Sequence, residues 1–471
     1  MEPRSIHFLA QSCGGQLSNC RRDAEFTAVS SDSRRIEKGI LFWALAGDRF
    51  DGHDFVASAI EAGAVAAVVA QSKVASLAKN LPLVIVEDTR VALGKFGTRY
   101  RQDFSPIAIG VAGSNGKTSV KDLIFSVLNE KMETICSEAS FNNDIGVPQT
   151  LLRIESKHRA AVMELGTNHP GELAPLIGMV QPKIGVITSI GREHLEFFGD
   201  VAGVAKEEGT LAEMLPKNGL LVINGDSPEV KSIINRAKCR VVKVGAGEGN
   251  DWRVEALATN EEGTKFKLNA PDASWSGEWS VGLLGRHHAI NAALAVVVGE
   301  ELDAGRAEIQ RGLSNCRPAK MRMQIEHANG VTILNDAYNA NADSMCAALR
   351  TLAEFPSQGR RIAIVGDMAE LGDTASAAHR EVGSLAGELK LDHVIAIGRQ
   401  SVWTADCARA AGAGNASAFL DFNMAVAAIL HLVQPDDVIL VKASRSSQLE
   451  RVVDALRKAP PSFGHGTALA A

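Results

Sequence analysis

A paired-cysteine spacing is missing from this chain. Its seven cysteines, Cys13, Cys20, Cys136, Cys239, Cys316, Cys346 and Cys407, are scattered, odd in number and never in a C-x-x-C arrangement. That argues against a disulfide framework or a zinc site and points to the reducing cytosol. No apolar run approaches the roughly 18 residues that a membrane span requires. The opening residues carry Glu2 and Arg4 but no sustained apolar segment of the secretory kind. An unprocessed cytoplasmic protein without a membrane span is expected. Net positive charge is lacking too: 49 Lys and Arg against 55 Asp and Glu leave −6. There is then no general attraction for nucleic acid, and an anionic ligand must be caught by a local site. No Ser-His-Asp or Cys-His nucleophile arrangement stands out.

With 46% hydrophobic and 22% charged residues, the 471-residue chain has the composition of a globular protein. It is too long for one core, and about three domains are expected. Residues 1–103 read as a small α/β unit, with strands at Gly39–Leu45 and Ala66–Ala70 and a helix from Asp54 to Ala62. Tyr100 to Pro106 reads as a linker, because Ser105-Pro106 biases the chain towards extended geometry. Residues 104–316 alternate strands (Ala160–Glu164, Ile184–Thr188, Gly219–Asn224) with helical stretches, the pattern of a mostly parallel sheet covered by helices. A hairpin is expected over Trp252 to Leu268, turning at Glu261-Glu-Gly263. Residues 317–459 repeat a doubly wound α/β pattern, with strands at Val331–Leu334, Arg361–Val365, His393–Ile397 and Asp437–Val441. This third set has no G-x-G-x-x-G after its first strand, which disfavours a dinucleotide domain. Residues 460–471, rich in Pro, Gly and Ala, read as a disordered tail.

The stretch Gly110-Val-Ala-Gly-Ser-Asn-Gly-Lys-Thr-Ser119 follows the apolar run Ile107-Ala-Ile109 and reads as strand, tight loop and helix start. Glycines there let backbone N–H groups turn towards phosphate oxygens, the helix start adds its positive dipole end, and Lys117 adds a point charge. Thr118 or Ser119 offers a hydroxyl to Mg²⁺. The spacing is G-x-x-G-x-x-G-K-T, with Val111 where a strict G-x-x-x-x-G-K-[ST] loop has its first glycine.

Other polar clusters close the ends of strands, where open α/β sheets gather ligands. Asn142 and Asn143, in Ser140-Phe-Asn-Asn-Asp-Ile-Gly146, serve equally well as a helix cap. Glu164, Asn168 and His169 follow one strand, and His194 and Glu196 follow another. A carboxylate and an imidazole on adjacent sheet ends beside a phosphate loop suit Mg²⁺, although a lone histidine is more often structural. Lys206, in Val204-Ala-Lys-Glu-Glu208, is on its own merits a solvated surface lysine. Gly285-Arg-His-His-Ala-Ile-Asn291 precedes an apolar helix. Asn335-Asp-Ala-Tyr-Asn-Ala-Asn341 sets Tyr338, one of two tyrosines, among amides, as a nucleotide contact or a turn cluster. Gly366-Asp-Met-Ala-Glu-Leu-Gly372 and Lys442-Ala-Ser-Arg445 close two further strands with charge.

Taken together, these segments resemble the Mur ligases, ATP-dependent amide-forming enzymes of peptidoglycan precursor synthesis, over nearly the whole chain. The glycine spacing of Gly110 to Ser119 is the family's own. Leu41 to Asp54, Phe141 to Pro148, Asp336 to Asn341, Gly366 to Gly372 and Val441 to Ser446 look like the branch that adds D-alanyl-D-alanine to UDP-N-acetylmuramoyl-tripeptide. The Asp-Asn-Pro-Arg motif of the diaminopimelate-adding relative is absent. The resemblance implies three domains: a UDP-substrate-binding domain, a central P-loop ATPase-like domain and a C-terminal Rossmann-like domain. It implies that Gly113, Ser114, Asn115, Gly116, Lys117, Thr118 and Ser119 hold the ATP phosphates. Asn291, Arg322 and Asp336 are then the adenine, phosphate and ribose contacts. Thr118, Glu164 and His194 would bind two Mg²⁺ ions, and Lys206 would join them as a carbamate made with CO₂. Asp32, Ser33 and Arg34 look like uridine-nucleotide contacts. Asn142, Asn143, Tyr338 and Asn339 are expected on the substrate side. Two departures from the family pattern are His288, in Gly285-Arg-His-His288, and Ala443, in Lys442-Ala-Ser-Arg445.

The chemistry implied is attack of the tripeptide carboxylate on the γ-phosphate, giving an acyl phosphate and ADP, followed by attack of the dipeptide amine and loss of phosphate. Lys117, Glu164, His194 and Lys206 are the expected catalytic set, working on a monomer whose C-terminal domain closes over ATP. The rivals are another ligase of the superfamily, diaminopimelate-adding or folylpolyglutamate-type, and a non-ligating P-loop ATP-binding regulatory protein.

Overall fold

A computed structural model describes residues 1–47 and 50–459. The expected disordered tail, 460–471, lies outside the described residues. Among the described residues the strands form sheets of two, five, nine and six strands. The chain is α/β throughout, as the alternation of apolar runs and amphipathic stretches predicts.

The N-terminal five-stranded sheet runs parallel through Ala28–Ser30, Ile40–Trp43, Ala67–Ala70 and Leu83–Val86, with Gln16–Ser18 antiparallel at its edge. The expected linker at Tyr100 is not one. The helix Thr89–Arg101, started by the Asp88 side chain on the amides of Arg90 and Val91, carries Tyr100 in its last turn, fully buried. The Tyr100 hydroxyl donates to the Ile154 carbonyl at 2.7 Å and accepts the Glu2 amide at 2.8 Å. The helix ends at Arg101, well before Pro106, and one apolar cluster runs from Ile6 and Phe96 through Tyr100 into Met163 and Leu176. The first two units are therefore joined by core rather than by a tether.

In the nine-stranded sheet the strand Ile107–Ala112 lies between Ala160–Glu164 and Ile184–Ile187, all parallel. Register sets Glu164 opposite Val111 and Ile187 opposite Ala112, so both neighbours end at the root of the glycine-rich loop. The Glu164 and His194 segments thus flank the loop strand and are not adjacent to each other, which corrects the sequence expectation. The hairpin forms over Trp252–Asn260 and Gly263–Asn269 and is extended by Gly277–Val281. Alternate burial along Gly263–Asn269 shows why its pattern read as period two.

The six-stranded sheet contains Val331–Asp336, Arg361–Gly366, His393–Ile397 and Val438–Lys442, close to the expected strands. It adds Asn415–Phe419 and an antiparallel edge, Gln324–Ala328, that sequence reasoning missed. Asp336 pairs in register with Lys442, which brings both to the same sheet end.

Candidate active site

The loop after Ile107–Ala112 takes its shape from two glycines. Gly113 has φ +114° and Gly116 φ +87°, and a Cβ on Gly113 would meet the Thr188 hydroxyl at 2.6 Å. The helix Lys117–Asn129 begins directly afterwards, so its free N–H groups face a cleft of about 770 Å³. Ser114, Asn115, Gly116, Lys117, Thr118, Ser119, Asn142, Asn143, Glu164, His194, Asn291, Arg322, Asp336, Tyr338 and Asn339 all line that cleft. Residues 190 positions and more apart in sequence therefore meet there.

Lys117 is folded back on its own loop. Its Nζ donates to the Gly113 carbonyl at 2.5 Å and to Glu193 Oε2 at 3.3 Å. Burial works against the ammonium, but Glu193, Glu208 and Glu164 together outweigh it and hold the proton above the usual lysine range. Each of these three carboxyls keeps one buried oxygen without a hydrogen-bond partner: Glu164 Oε2, Glu193 Oε1 and Glu208 Oε1. Three acidic groups around one ammonium leave an excess of acceptors, which suits a divalent cation carrying phosphate.

Asn142 and Asn143 part ways. Asn142 donates to Glu164 Oε1 at 2.9 Å, whereas Asn143 Oδ1 caps the amides of Ile145 and Gly146 at the cleft edge. Thr118 Oγ1 faces Ser140 Oγ at 3.4 Å. His194, at φ +47°, is hydrogen-bonded through Nδ1 to Glu370 of the C-terminal domain.

That domain supplies the opposite wall. Arg322 donates to Ser140 Oγ at 3.1 Å, and its guanidinium lies 4.2 Å from the Tyr338 ring centroid. Lys442 Nζ bonds Asp336 Oδ2 at 2.6 Å. Arg192 forks onto Asp343 and Glu381 with side-chain bonds of 2.5 to 2.9 Å. The His287 and His288 ring centroids lie 4.1 Å apart, tilted at 42°, and burial of His288 drives it well below its usual value. His288 Nδ1 sits 3.2 Å from Asn291 Nδ2, so the departure at 288 still supports Asn291. Ala443 is buried and has no positive φ, so that departure costs no backbone strain.

Gly113, at the root of the loop, does not itself line the cleft, and two further groups of expected site residues lie outside it. Asp32, Ser33 and Arg34 sit on an N-terminal 3₁₀ turn, Ser33–Arg35, where the Asp32 carboxylate grips the Arg34 guanidinium with two 2.9 Å bonds. That pairing lowers the Asp32 carboxyl to about 2. Lys206 is the other. It lies exposed on the helix Val201–Glu208 and is absent from the cleft wall, because the buried side of that helix is formed by Val204, Ala205, Glu207 and Glu208. Sequence reasoning did not single out Arg192, Glu193, Glu208 or Glu370. The acidic residue beside His194 was the available signal; the others depend on contacts no local pattern encodes.

Three family models match the chain: Mur ligase family, catalytic domain, over residues 25–101; Mur ligase middle domain over 111–299; and Mur ligase, glutamate ligase domain over 321–445. The chain is 37% identical to the UDP-N-acetylmuramoyl-tripeptide--D-alanyl-D-alanine ligase of Escherichia coli (strain K12), covering 96% of this chain and 97% of that one. It is 32% identical to the protein of the same name from Bacillus subtilis (strain 168), over 98% and 100%. Among solved structures, MurF from Acinetobacter baumannii matches with TM-score 0.87 at 30% identity, over 98% and 100% of the two chains. MurF ligase from Thermotoga maritima in complex with ADP matches with TM-score 0.80 at 25% identity, over 92% and 97%. The chain belongs to the Mur ligase family, in its branch of UDP-N-acetylmuramoyl-tripeptide--D-alanyl-D-alanine ligases.

Proposed function

We infer that this chain is an ATP-dependent ligase that joins D-alanyl-D-alanine to UDP-N-acetylmuramoyl-tripeptide, releasing ADP and phosphate, in peptidoglycan synthesis. The observation that carries the reading is a single cleft in which the glycine-rich loop of the central domain faces Arg322, Asp336 and Tyr338 of the C-terminal domain. An anionic nucleotide seated there touches both domains, and closing them shields an activated acyl group from water.

In this reading Lys117 leaves its loop carbonyls for the β- and γ-phosphates, and the amides at the start of Lys117–Asn129 line the phosphate path. Two anions meet when the tripeptide carboxylate attacks the γ-phosphate. Lys117 and Arg322 reduce their repulsion and align them. The carboxylate oxygen forms a bond to phosphorus as the bond to ADP breaks. The dipeptide amine then adds to the acyl carbonyl, gives up a proton, and phosphate departs. Asn291 would contact adenine and Asp336 the ribose; Asn142, Asn143, Tyr338 and Asn339 would face the substrate side.

Mg²⁺, which the family uses, fits the donors present: the Thr118 hydroxyl and the unpartnered Glu164 oxygen for one ion, with His194 for a second. It would supply charge neutralisation for the transferring phosphoryl group. Asp32, Ser33 and Arg34 would meet the uridine nucleotide on the N-terminal unit. A monomer is the proposed state of the chain. Its substrates and seven free cysteines support a cytoplasmic setting.

An ADP-release assay with UDP-N-acetylmuramoyl-tripeptide and a panel of amino acids and dipeptides tests the reading. Stimulation by D-alanyl-D-alanine is expected, and none would refute it. Lys117→Ala is expected to abolish release, whereas full activity would remove the loop from the chemistry.

A further inference from the structure

The acidic group that the sequence led one to seek on Lys206 is found elsewhere on the same helix. Two residues along an α-helix turn the chain through about 200°, so the exposed Lys206 and the fully buried Glu208 point to opposite sides of Val201–Glu208. A carbamate on Lys206 would stand in water, outside the cleft that the loop lines. Glu208 reaches the loop directly: its Oε2 accepts the Gly113 amide at 2.7 Å, and its Oε1 is buried with no partner. Gly113 is also the residue whose carbonyl holds Lys117 at 2.5 Å, so one carboxyl anchors, through its amide, the glycine on which the phosphate-loop lysine rests.

We propose that Glu208 is a positioning residue that supplies, as a permanent part of the chain, the acidic group beneath the phosphate loop, so that this ligase needs no CO₂-derived carbamate on Lys206. The proposal rests on the ligase reading given above. A glutamate carboxyl is present in every folded molecule, whereas a carbamate forms and is lost with CO₂ supply. Glu208 sets Gly113 and, through it, the starting position of Lys117. Its unpartnered oxygen leaves it able to answer a change of charge when Mg²⁺ and nucleotide arrive.

The test uses the full chain. Wild-type protein is assayed for ADP release in buffer stripped of CO₂ and in buffer with added bicarbonate, and equal rates are expected. A rate that falls on stripping overturns the proposal. Lys206→Ala is expected to stay within about twofold of wild type, as for a surface change. A large loss restored by short-chain carboxylic acids would reinstate the carbamate. Isotope-labelled bicarbonate should give no carbamyl NMR signal that disappears in Lys206→Ala. Glu208→Gln keeps the shape and an acceptor for Gly113 but removes the acid. It is expected to fold, to lose roughly ten- to a hundredfold in kcat, and to weaken Mg²⁺-dependent ADP binding by calorimetry while ADP binding in chelator is unchanged. Glu208→Gln with wild-type turnover and wild-type Mg²⁺-dependent binding overturns the proposal. If wild-type protein releases no ADP with any acceptor, the ligase reading has failed instead, and the calorimetry still reads Glu208.

Discussion

Asn341 of the C-terminal domain donates its side-chain amide to Asn115 of the glycine-rich loop across 3.0 Å. The same Asn341 caps the helix Ala342–Glu354, taking the Ser344 amide at 2.9 Å on its Oδ1. One side chain thus ties the start of a helix in one domain to the phosphate loop of another. Asn341→Ala should lose the cap, about 1 kcal/mol of stability, and should raise KM for ATP. Asn115→Ala should raise KM without the stability loss. Thermal melts and ATP titrations of both variants check this, and equal melting losses would show that the bridge, not the cap, is what stabilises.

Arg192 makes another crossing, pairing with Glu381 and Asp343, whose hydrogen bonds hold its guanidinium above its already high range. The three side chains are part-exposed, so the cluster contributes about 1 kcal/mol or less to domain closure. Arg192→Ala should increase the radius of gyration in solution scattering and raise KM for ATP a few-fold, with melting little changed. Added salt should move wild type towards the variant, since screening weakens exposed pairs. An unchanged scattering profile would show that closure does not depend on this cluster.

The sequence made the strand-loop-helix at Gly110 to Ser119 legible because glycine, lysine and hydroxyl spacing is a local property, imposed by what a backbone needs to surround phosphate. The strand ends at Glu164 and His194 were legible for a similar reason: each apolar run stops at a polar cluster. Glu208 and Lys206 could not be told apart, because both belong to one short helix and only the packing of that helix against the loop decides which side chain is buried. Tyr100 was misread because Pro106 signals an ending without saying where the core lies. Glu370 and Arg192 have meaning only once two domains meet.

Tyr338 and Arg322 form a contact that single substitutions can separate. The ring lies 4.2 Å beneath the guanidinium that also reaches Ser140. A cation over an aromatic face is held by about 1 kcal/mol at a part-exposed site. Tyr338→Phe should therefore keep KM for ATP near wild type, whereas Tyr338→Leu should raise it about fivefold as Arg322 loses its platform. If Tyr338→Phe is as impaired as Tyr338→Leu, the hydroxyl rather than the ring is the working part, and a direct substrate contact replaces the positioning role.

Glu208 also makes a stability prediction with a defined sign. Burial pushes its carboxyl up to about 8, Lys117 opposes the shift, and Glu193 adds to it. A carboxyl whose folded value lies above its unfolded one favours the fold most below the unfolded value, where both states keep the proton. That advantage is lost progressively as pH rises through the folded value. Glu208→Gln cannot ionise, so without nucleotide or Mg²⁺ it should gain on wild type as pH is raised from 5 to about 9. The difference in melting temperature, variant minus wild type, is the quantity to follow at constant ionic strength. A difference that stays flat across that range would mean that Lys117 already holds the Glu208 carboxylate charged, and that burial does not dominate beneath the loop.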